Sequence, residues 1–456
     1  MAETWAKGLD LHVDLTGTRV RAQLESGLRE AIRSGRLRPD TRLPSSRTLS
    51  ADLGVARNTV AEVYSQLVAE GWLAARTGSG TVVASRPVVR GDGAATEPVV
   101  PPPRYDLRSG EPDLSSFPRR EWLAAARRAL AAAPDHLLGY GDPRGVAELR
   151  TVLAEYLARA RGVHADPGRI VICAGFAHGL GVLGRALHDT GYRTMAMEEY
   201  GHQLHRNIVT GQRLSLRLLP VDGSGAVLSA AGDSAAMLLT PAHQFPLGVP
   251  LSPARRRALA ARDGIVIEDD YDGEFRYDRQ PVGAVQALAP DRVIYAGTAS
   301  KSLAPGVQLA WLVVPPRLLD PVLAAMSGAP SAVDQLTFAS FISSGDYDRH
   351  IRRARLVYRR RRDMLMAAMA GLGLRVSGIA AGLHANVEFD HNEREYLVTS
   401  RASRHGVAVS GLSEFTAEGA SGQRAGLVVG YGRPPEHAYT AALARLTAVL
   451  ASLAGH

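Results

Sequence analysis

At 456 residues the chain is longer than one ordinary domain, and two or three domains are expected. Hydrophobic residues make up 46% of it, yet no apolar run approaches the roughly 18 residues needed to span a bilayer, and the opening MAETWAKGLD lacks the apolar core of a signal peptide; a soluble, cytoplasmic protein with no membrane partner is expected. One cysteine, Cys173, excludes an internal disulfide framework and a cysteine metal cluster, and the formal net charge of +8 favours an acidic partner such as nucleic acid without establishing one.

The first predicted element is a helix in VRAQLESGLREAIRSGRL, where Val20, Leu24, Leu28 and Ile32 recur every four residues and Gly35 ends the pattern. LPSSRTLSADLGVARNTVAEVYSQLVAEGWL predicts a second helix capped by Ser45 or Ser46, a turn at Gly54, and a third helix with Val60, Val63, Leu67 and Val68 inward. Two short helices around a glycine turn form a helix-turn-helix. WLAARTGSGTVVA then reads as two strands around TGSG, a hairpin wing.

Arg57, Asn58 and Thr59, outward at the start of the third helix, are of the kinds that meet base edges and phosphates in a major groove. Arg47, opening the second helix, suits the DNA backbone or a guanine; taken singly, each arginine also reads as a solvated surface charge. The whole stretch from SGRLRPDTRLPSS to TGSGTVV resembles the winged helix-turn-helix of GntR-type bacterial regulators. That resemblance implies that Arg47, Arg57 and Thr59 contact a double-stranded DNA operator, with the wing at Gly78, Ser79 and Gly80 along the minor groove.

RPVVRGDGAATEPVVPPPRY, rich in Pro, Gly and Ala and without period, reads as a linker. The expected division is therefore a DNA-binding head over 1–86, a linker over 87–104 and a large unit over 105–456. In the large unit strand-like runs alternate with Ala- and Arg-rich helical stretches, the order that indicates an α/β fold with a mainly parallel sheet.

Three segments of the large unit carry chemistry. IVICAGFAHGLGVL is strand, tight turn and helix, where the N–H groups of Gly175, Phe176 and Ala177 would receive a phosphate at a helix N-terminus. DGIVIEDDYDGEF is a buried strand ending in carboxylates and a tyrosine. Pyridoxal 5'-phosphate needs an anion beside its pyridine nitrogen and a phenol near its 3'-oxygen; Asp269 and Tyr271 suit these roles, while EDD alone reads equally as a helix cap or metal carboxylates. In GTASKSLAPG, Lys301 ends a strand. It is either a lysine reaching to solvent or a Schiff-base amine flanked by the phosphate-holding hydroxyls of Thr298 and Ser300.

In order, the phosphate turn, MEEYGH, TPAHQFPLG, EDDYDGEF and GTASKSLAPG resemble the fold-type-I aminotransferases, and with the GntR-type head the chain resembles a MocR-type regulator. The resemblance implies Lys301 as the Schiff-base lysine, Asp269 at the pyridine nitrogen, Tyr271 at the 3'-oxygen, and Gly175, Phe176, Ala177, Thr298 and Ser300 around the phosphate. Three positions depart from it. His202 stands where the family stacks an aromatic ring on the cofactor. Gln308 replaces an arginine seven residues after the lysine, a loss worth roughly 2 to 3 kcal/mol of charge-assisted contact. Near the C-terminus only Arg424 is a candidate to grip a substrate carboxylate.

The function expected is a DNA-binding transcriptional regulator, homodimeric through its large unit, that senses a small amino compound or vitamin through bound pyridoxal 5'-phosphate. The alternatives are a working aminotransferase carrying a DNA-binding head, and a regulator whose aminotransferase-like unit binds the cofactor poorly. Retained Lys301, Asp269 and Tyr271 favour the first alternative; Gln308 and His202 favour the second.

Overall fold

The computed structural model describes residues 20–76, 80–84, 103–277, 283–422 and 424–453. The chain divides between Pro101 and Pro102 into two units, and nearly all of the stretch read as a linker lies outside the described residues.

The first unit contains α1 (Val20–Arg33), α2 (Ser46–Leu53), α3 (Arg57–Ala69) and the antiparallel strands β1 (Leu73–Arg76) and β2 (Gly80–Val83). Leu24 and Leu28 of the α1 stripe pack with Leu49, Val60, Val63 and Leu67 in a core of their own, while Ile32 and Val68 are partly buried at its edge. Ser45 caps α2, its hydroxyl accepting from the Thr48 N–H at 3.1 Å. Gly54 ends α2 at φ 67°, a left-handed conformation that costs glycine nothing and lets α3 turn away at once.

The second unit opens with β3 (Tyr105–Asp106), α4 (Arg119–Ala132) and α5 (Ala147–Arg161), followed by β4 (Ile170–Cys173), α6 (Phe176–Asp189), β5 (Thr194–Glu198), α7 (Gln203–Gly211) and β6 (Ser215–Leu219). A small hairpin, β7 (Val221–Asp222) and β8 (Gly225–Ala226), leads to β9 (Ala236–Leu239), α8 (Pro253–Ala261), β10 (Ile265–Asp269), β11 (Val293–Thr298) and β12 (Ala310–Val313). Then come α9 (Pro316–Ala325), α10 (Ala332–Ser343) and the long α11 (Asp346–Gly371). The chain closes with β13 (Val376–Ser377), β14 (His384–Phe389), α12 (Asn392–Arg404), β15 (Val407–Ala408), β16 (Ser410–Gly411), β17 (Ala425–Gly430) and α13 (Glu436–Ala451).

The main sheet has seven strands in the order β4-β12-β11-β10-β9-β5-β6. It is parallel apart from β12, which runs antiparallel to both neighbours. Its central strands are buried on both faces, as a helix-covered sheet requires. Alternate residues divide between the layers: Val171, Ile267 and Leu312 meet α6 and α9, whereas Ile170, Ile172 and Trp311 meet α5 and α10. A four-stranded sheet, β13-β14-β17-β16, packs with α12 and, at β14, with α11, while α13 packs on the short pair β15-β3. Among the described residues no helix is long and apolar enough to cross a membrane.

Candidate functional site

The parallel strands β5, β9, β10 and β11 end side by side, and beyond their C-terminal ends lies a cavity of about 150 Å³. Lys301, Asp269, Tyr271, Phe176, His202, Thr298 and Ser300 all line it. The sheet brings them there: Asp269 is the last residue of β10, and Thr298 the last of β11, three residues before the lysine.

The Lys301 ammonium donates to the Gly110 carbonyl at 2.6 Å. Burial lowers the pKa of this amine, while Asp269 and Asp272 pull it back up. Burial pushes the Asp269 carboxyl well above the usual carboxylate range, and the Lys301 charge opposes that. Behind it Asp270 is paired with buried Arg161, Nε to Oδ2 at 2.6 Å and Nη2 to Oδ1 at 2.9 Å, and accepts from the Tyr295 hydroxyl at 2.7 Å. The Tyr271 hydroxyl donates to the His243 carbonyl at 3.0 Å, and His243 Nδ1 lies 2.8 Å from Asp272 Oδ2.

On the opposite wall His202 stacks on Phe245 with ring centroids 4.3 Å apart, and His205 meets the Phe176 edge. Burial, with help from the Lys301 charge, lowers His202 to about 4 and His205 to about 3, so both rings are neutral at pH 7. His384, at the start of β14, is likewise lowered by burial to about 3. Glu198, at the end of β5, accepts from the Thr240 hydroxyl at 2.6 Å, and burial raises it to about 7.

Where an anion would sit, Gly175 turns the chain at φ 85° into the N-terminus of α6. Its own N–H donates to the Cys173 carbonyl at 2.9 Å, so the free donors begin at Phe176. Ala177 lies beyond the cavity wall, in a neighbouring hollow with His178 and Arg185. The Thr298 and Ser300 hydroxyls lie 3.0 Å apart. Gln308 is exposed at φ 50° and lines no part of the cavity. The cations on the wall are Lys301 and Arg206, and Arg206 donates to the Glu199 and Phe415 carbonyls and to Gln203 Oε1. Arg424 is exposed, apart from the cavity, and donates to the Val221 carbonyl at 3.2 Å.

This donor set fits pyridoxal phosphate: an amine for the aldehyde, an acid at the sheet edge, and helix amides with two hydroxyls for the phosphate. Two buried atoms of residues in the wall, His384 Nε2 and Arg206 Nε, have no hydrogen-bond partner among the described residues. Sequence reasoning missed Gly110, Glu198, His205, Arg206 and His384. Of these only His205 and Arg206 carried a signal, standing three and four positions beyond His202 on one helical face.

In the first unit Arg47, Arg57, Asn58 and Gly80 are exposed and Thr59 is half-buried. Arg57 to Thr59 form the first turn of α3, and Gly80 opens β2; Gly78 and Ser79 lie outside the described residues.

Residues 20–83 match the family model of bacterial regulatory proteins of the gntR family, and residues 103–425 match that of class I and II aminotransferases. The chain is 35% identical to the HTH-type pyridoxine biosynthesis transcriptional regulator PdxR of Corynebacterium glutamicum, over 94% of this chain and 96% of that protein. It is also 35% identical to the probable rhizopine catabolism regulatory protein MocR of Rhizobium meliloti, over 76% of each. Among solved structures an archaeal alanine:glyoxylate aminotransferase matches with a TM-score of 0.68 at 23% identity, covering 76% of this chain and 91% of that one.

Proposed function

The chain belongs to the family of GntR-type bacterial regulators that carry a class I and II aminotransferase domain, and on that premise we propose that it is a DNA-binding transcriptional regulator that senses an amino compound or vitamin through pyridoxal phosphate held at Lys301. We assign the DNA-binding head to residues 1–86, a linker to 87–104 and the sensing domain to 105–456, in a cytoplasmic protein. The observation that carries the reading is the half-buried Lys301 side chain, whose amine shares one cavity with the buried Asp269 carboxyl at the C-terminal edge of the sheet.

Lys301 would hold the aldehyde, Asp269 the pyridine nitrogen, and Phe176, Thr298 and Ser300 the phosphate. When bound, the cofactor supplies an electrophilic carbon that an incoming amine attacks. The chain's part is to keep the Lys301 amine desolvated, hence more readily neutral and nucleophilic, and to park it on the Gly110 oxygen. Neutral His202 and His205 and the rings of Phe176 and Phe245 give an amine an apolar wall. Arg424 is not on the cavity wall to grip a substrate carboxylate, which favours sensing over repeated turnover. The Corynebacterium relative is named for pyridoxine biosynthesis, which makes a vitamer the first effector to try.

We propose a homodimer through the apolar face around α4 and the turn Asp135–Leu138, where Leu123, Leu130 and Leu138 are exposed at 68%, 48% and 56% and Tyr140 is fully exposed. Two heads would then read two half-sites.

The test is absorbance spectroscopy with and without pyridoxal phosphate, followed by operator binding by fluorescence anisotropy. A visible band in the parent that is lost in Lys301→Ala, with operator affinity responding to cofactor or amine in the parent alone, is the expected result. A parent with no visible band at saturating cofactor refutes the sensor; steady multiple turnover with amino acids makes the protein an enzyme.

A further inference from the structure

We infer that Tyr347 and His350 are positioning residues for Lys301, holding the backbone of the turn from which its amine projects. The inference rests on the reading of Lys301 as the cofactor lysine. Ser302, the next residue, is 2% exposed and lies in a turn, where neither strand nor helix satisfies its backbone carbonyl. His350 Nε2 lies 2.8 Å from that carbonyl. A carbonyl only accepts, so Nε2 carries the proton and donates. The Tyr347 hydroxyl lies 3.0 Å from Ser302 Oγ, which itself donates to the Ala299 carbonyl at 3.3 Å; Tyr347 is therefore the donor to the serine. Tyr347 and His350 stand three positions apart on one face of α11, and both are buried.

The same helix fixes the other end of the amine's hydrogen bond. Lys301 Nζ is parked on the Gly110 carbonyl. Three residues later, the Asp113 N–H donates to the Tyr358 hydroxyl at 3.0 Å and the Asp113 carboxylate pairs with Arg361 at 2.9 Å, both on α11. One rigid rod thus sets the turn bearing the amine and the segment bearing its acceptor. Removing the His350 donor leaves a buried carbonyl without a partner next to Lys301, and the turn must relax to find one.

The experiment uses the full chain with His350→Phe, His350→Gln and Tyr347→Phe, and two readouts. One is the rate of reductive methylation of Lys301 by formaldehyde and borohydride, read by peptide mass, which needs no cofactor. The other is the dissociation constant for pyridoxal phosphate from an absorbance titration. His350→Phe is expected to speed the labelling and weaken the cofactor, each roughly three- to ten-fold, the scale of one hydrogen bond. His350→Gln, whose amide donates to the same carbonyl, is expected to restore both. Should phenylalanine at 350 prevent folding, Tyr347→Phe carries the test, with the same direction expected. Labelling and affinity unchanged in the phenylalanine variants, or a loss that glutamine does not rescue, overturns the inference. If the parent binds no cofactor but the labelling still responds to phenylalanine and not to glutamine, the positioning role stands and the sensor reading fails.

Discussion

Asp113→Asn tests how firmly the segment bearing Gly110 is anchored. Arg361 and Asp113 are both nearly inaccessible, with side chains exposed at 2% and 3%, and their charges meet at 2.9 Å. The remaining contacts of Arg361 are neutral: Nη1 donates to the carbonyls of Tyr431, Gly432 and Pro434, and Nε has no partner. Asparagine keeps the size of the side chain and removes the only carboxylate paired with this guanidinium among the described residues. Its amide also cannot serve Arg361 and the Ser115 N–H, now 3.0 Å from Asp113 Oδ1, with two acceptor oxygens. A buried charge deprived of its partner costs about 3 to 5 kcal/mol. Urea unfolding of the full chain, followed by tryptophan fluorescence, measures the loss. Pairing Asp113→Asn with Arg361→Met removes both charges and is expected to recover part of it, as buried pairs replaced by apolar groups do. A loss below about 1 kcal/mol for Asp113→Asn, or a double variant as unstable as the sum of the singles, refutes the argument.

Arg57→Ala is expected to weaken specific operator binding by roughly 1 to 3 kcal/mol with the melting temperature unchanged, because the side chain is exposed on the first turn of α3; unchanged affinity by anisotropy rules out α3 as the reading helix. Leu28→Ala, at a fully buried position of the first unit, is expected to destabilise that unit by about 2 to 5 kcal/mol and leave the cofactor spectrum intact, as calorimetry and absorbance together would show. Burial, with a contribution from Asp270, raises Glu274 to about 7. Above about pH 4.5 the unfolded chain therefore releases a proton that the folded one retains, and this carboxyl subtracts stability as pH rises towards 7. Glutamine at 274 cannot ionise, so the stability of Glu274→Gln relative to the parent is expected to rise by up to about 3 kcal/mol between pH 4.5 and 8; a difference that stays flat with pH contradicts the assignment.

The first unit was legible because local rules settle it. A four-residue apolar stripe, a serine before a helix and a glycine after it each act within one turn of chain, and α1, Ser45 and Gly54 follow them. The strand end at Asp269 was legible for a similar reason, since a run buried on both faces that stops at polar residues marks the edge of a covered sheet, whereas the strand expected to end at Lys301 stops at Thr298 and leaves the lysine in a turn. What the sequence did not disclose depends on distant pairing. The reversed sense of β12 leaves no mark in its hydrophobic pattern, because a strand buried on both faces reads as the same unbroken apolar run whichever way it points. Gly110 reaches Lys301 across 191 positions, and a glycine carries no side chain to announce it. Arg424 looked like a clamp because it is an arginine close to the C-terminal strand, but it precedes β17 and its guanidinium goes to the Val221 carbonyl.

The antiparallel β12 decides how Lys301 is mounted. Where a parallel successor would need a long crossover, the chain after β11 comes straight back: Thr298 stands opposite Ala310, and the Ala299 N–H donates to the Leu309 carbonyl at 2.9 Å. The loop is bolted at both feet to the sheet and at Ser302 to α11, a three-point seat of the kind that leaves an instrument no freedom to rock. Chemistry at the tip is thereby confined to the rotors of one four-carbon arm, and any larger excursion has to be made by what surrounds it.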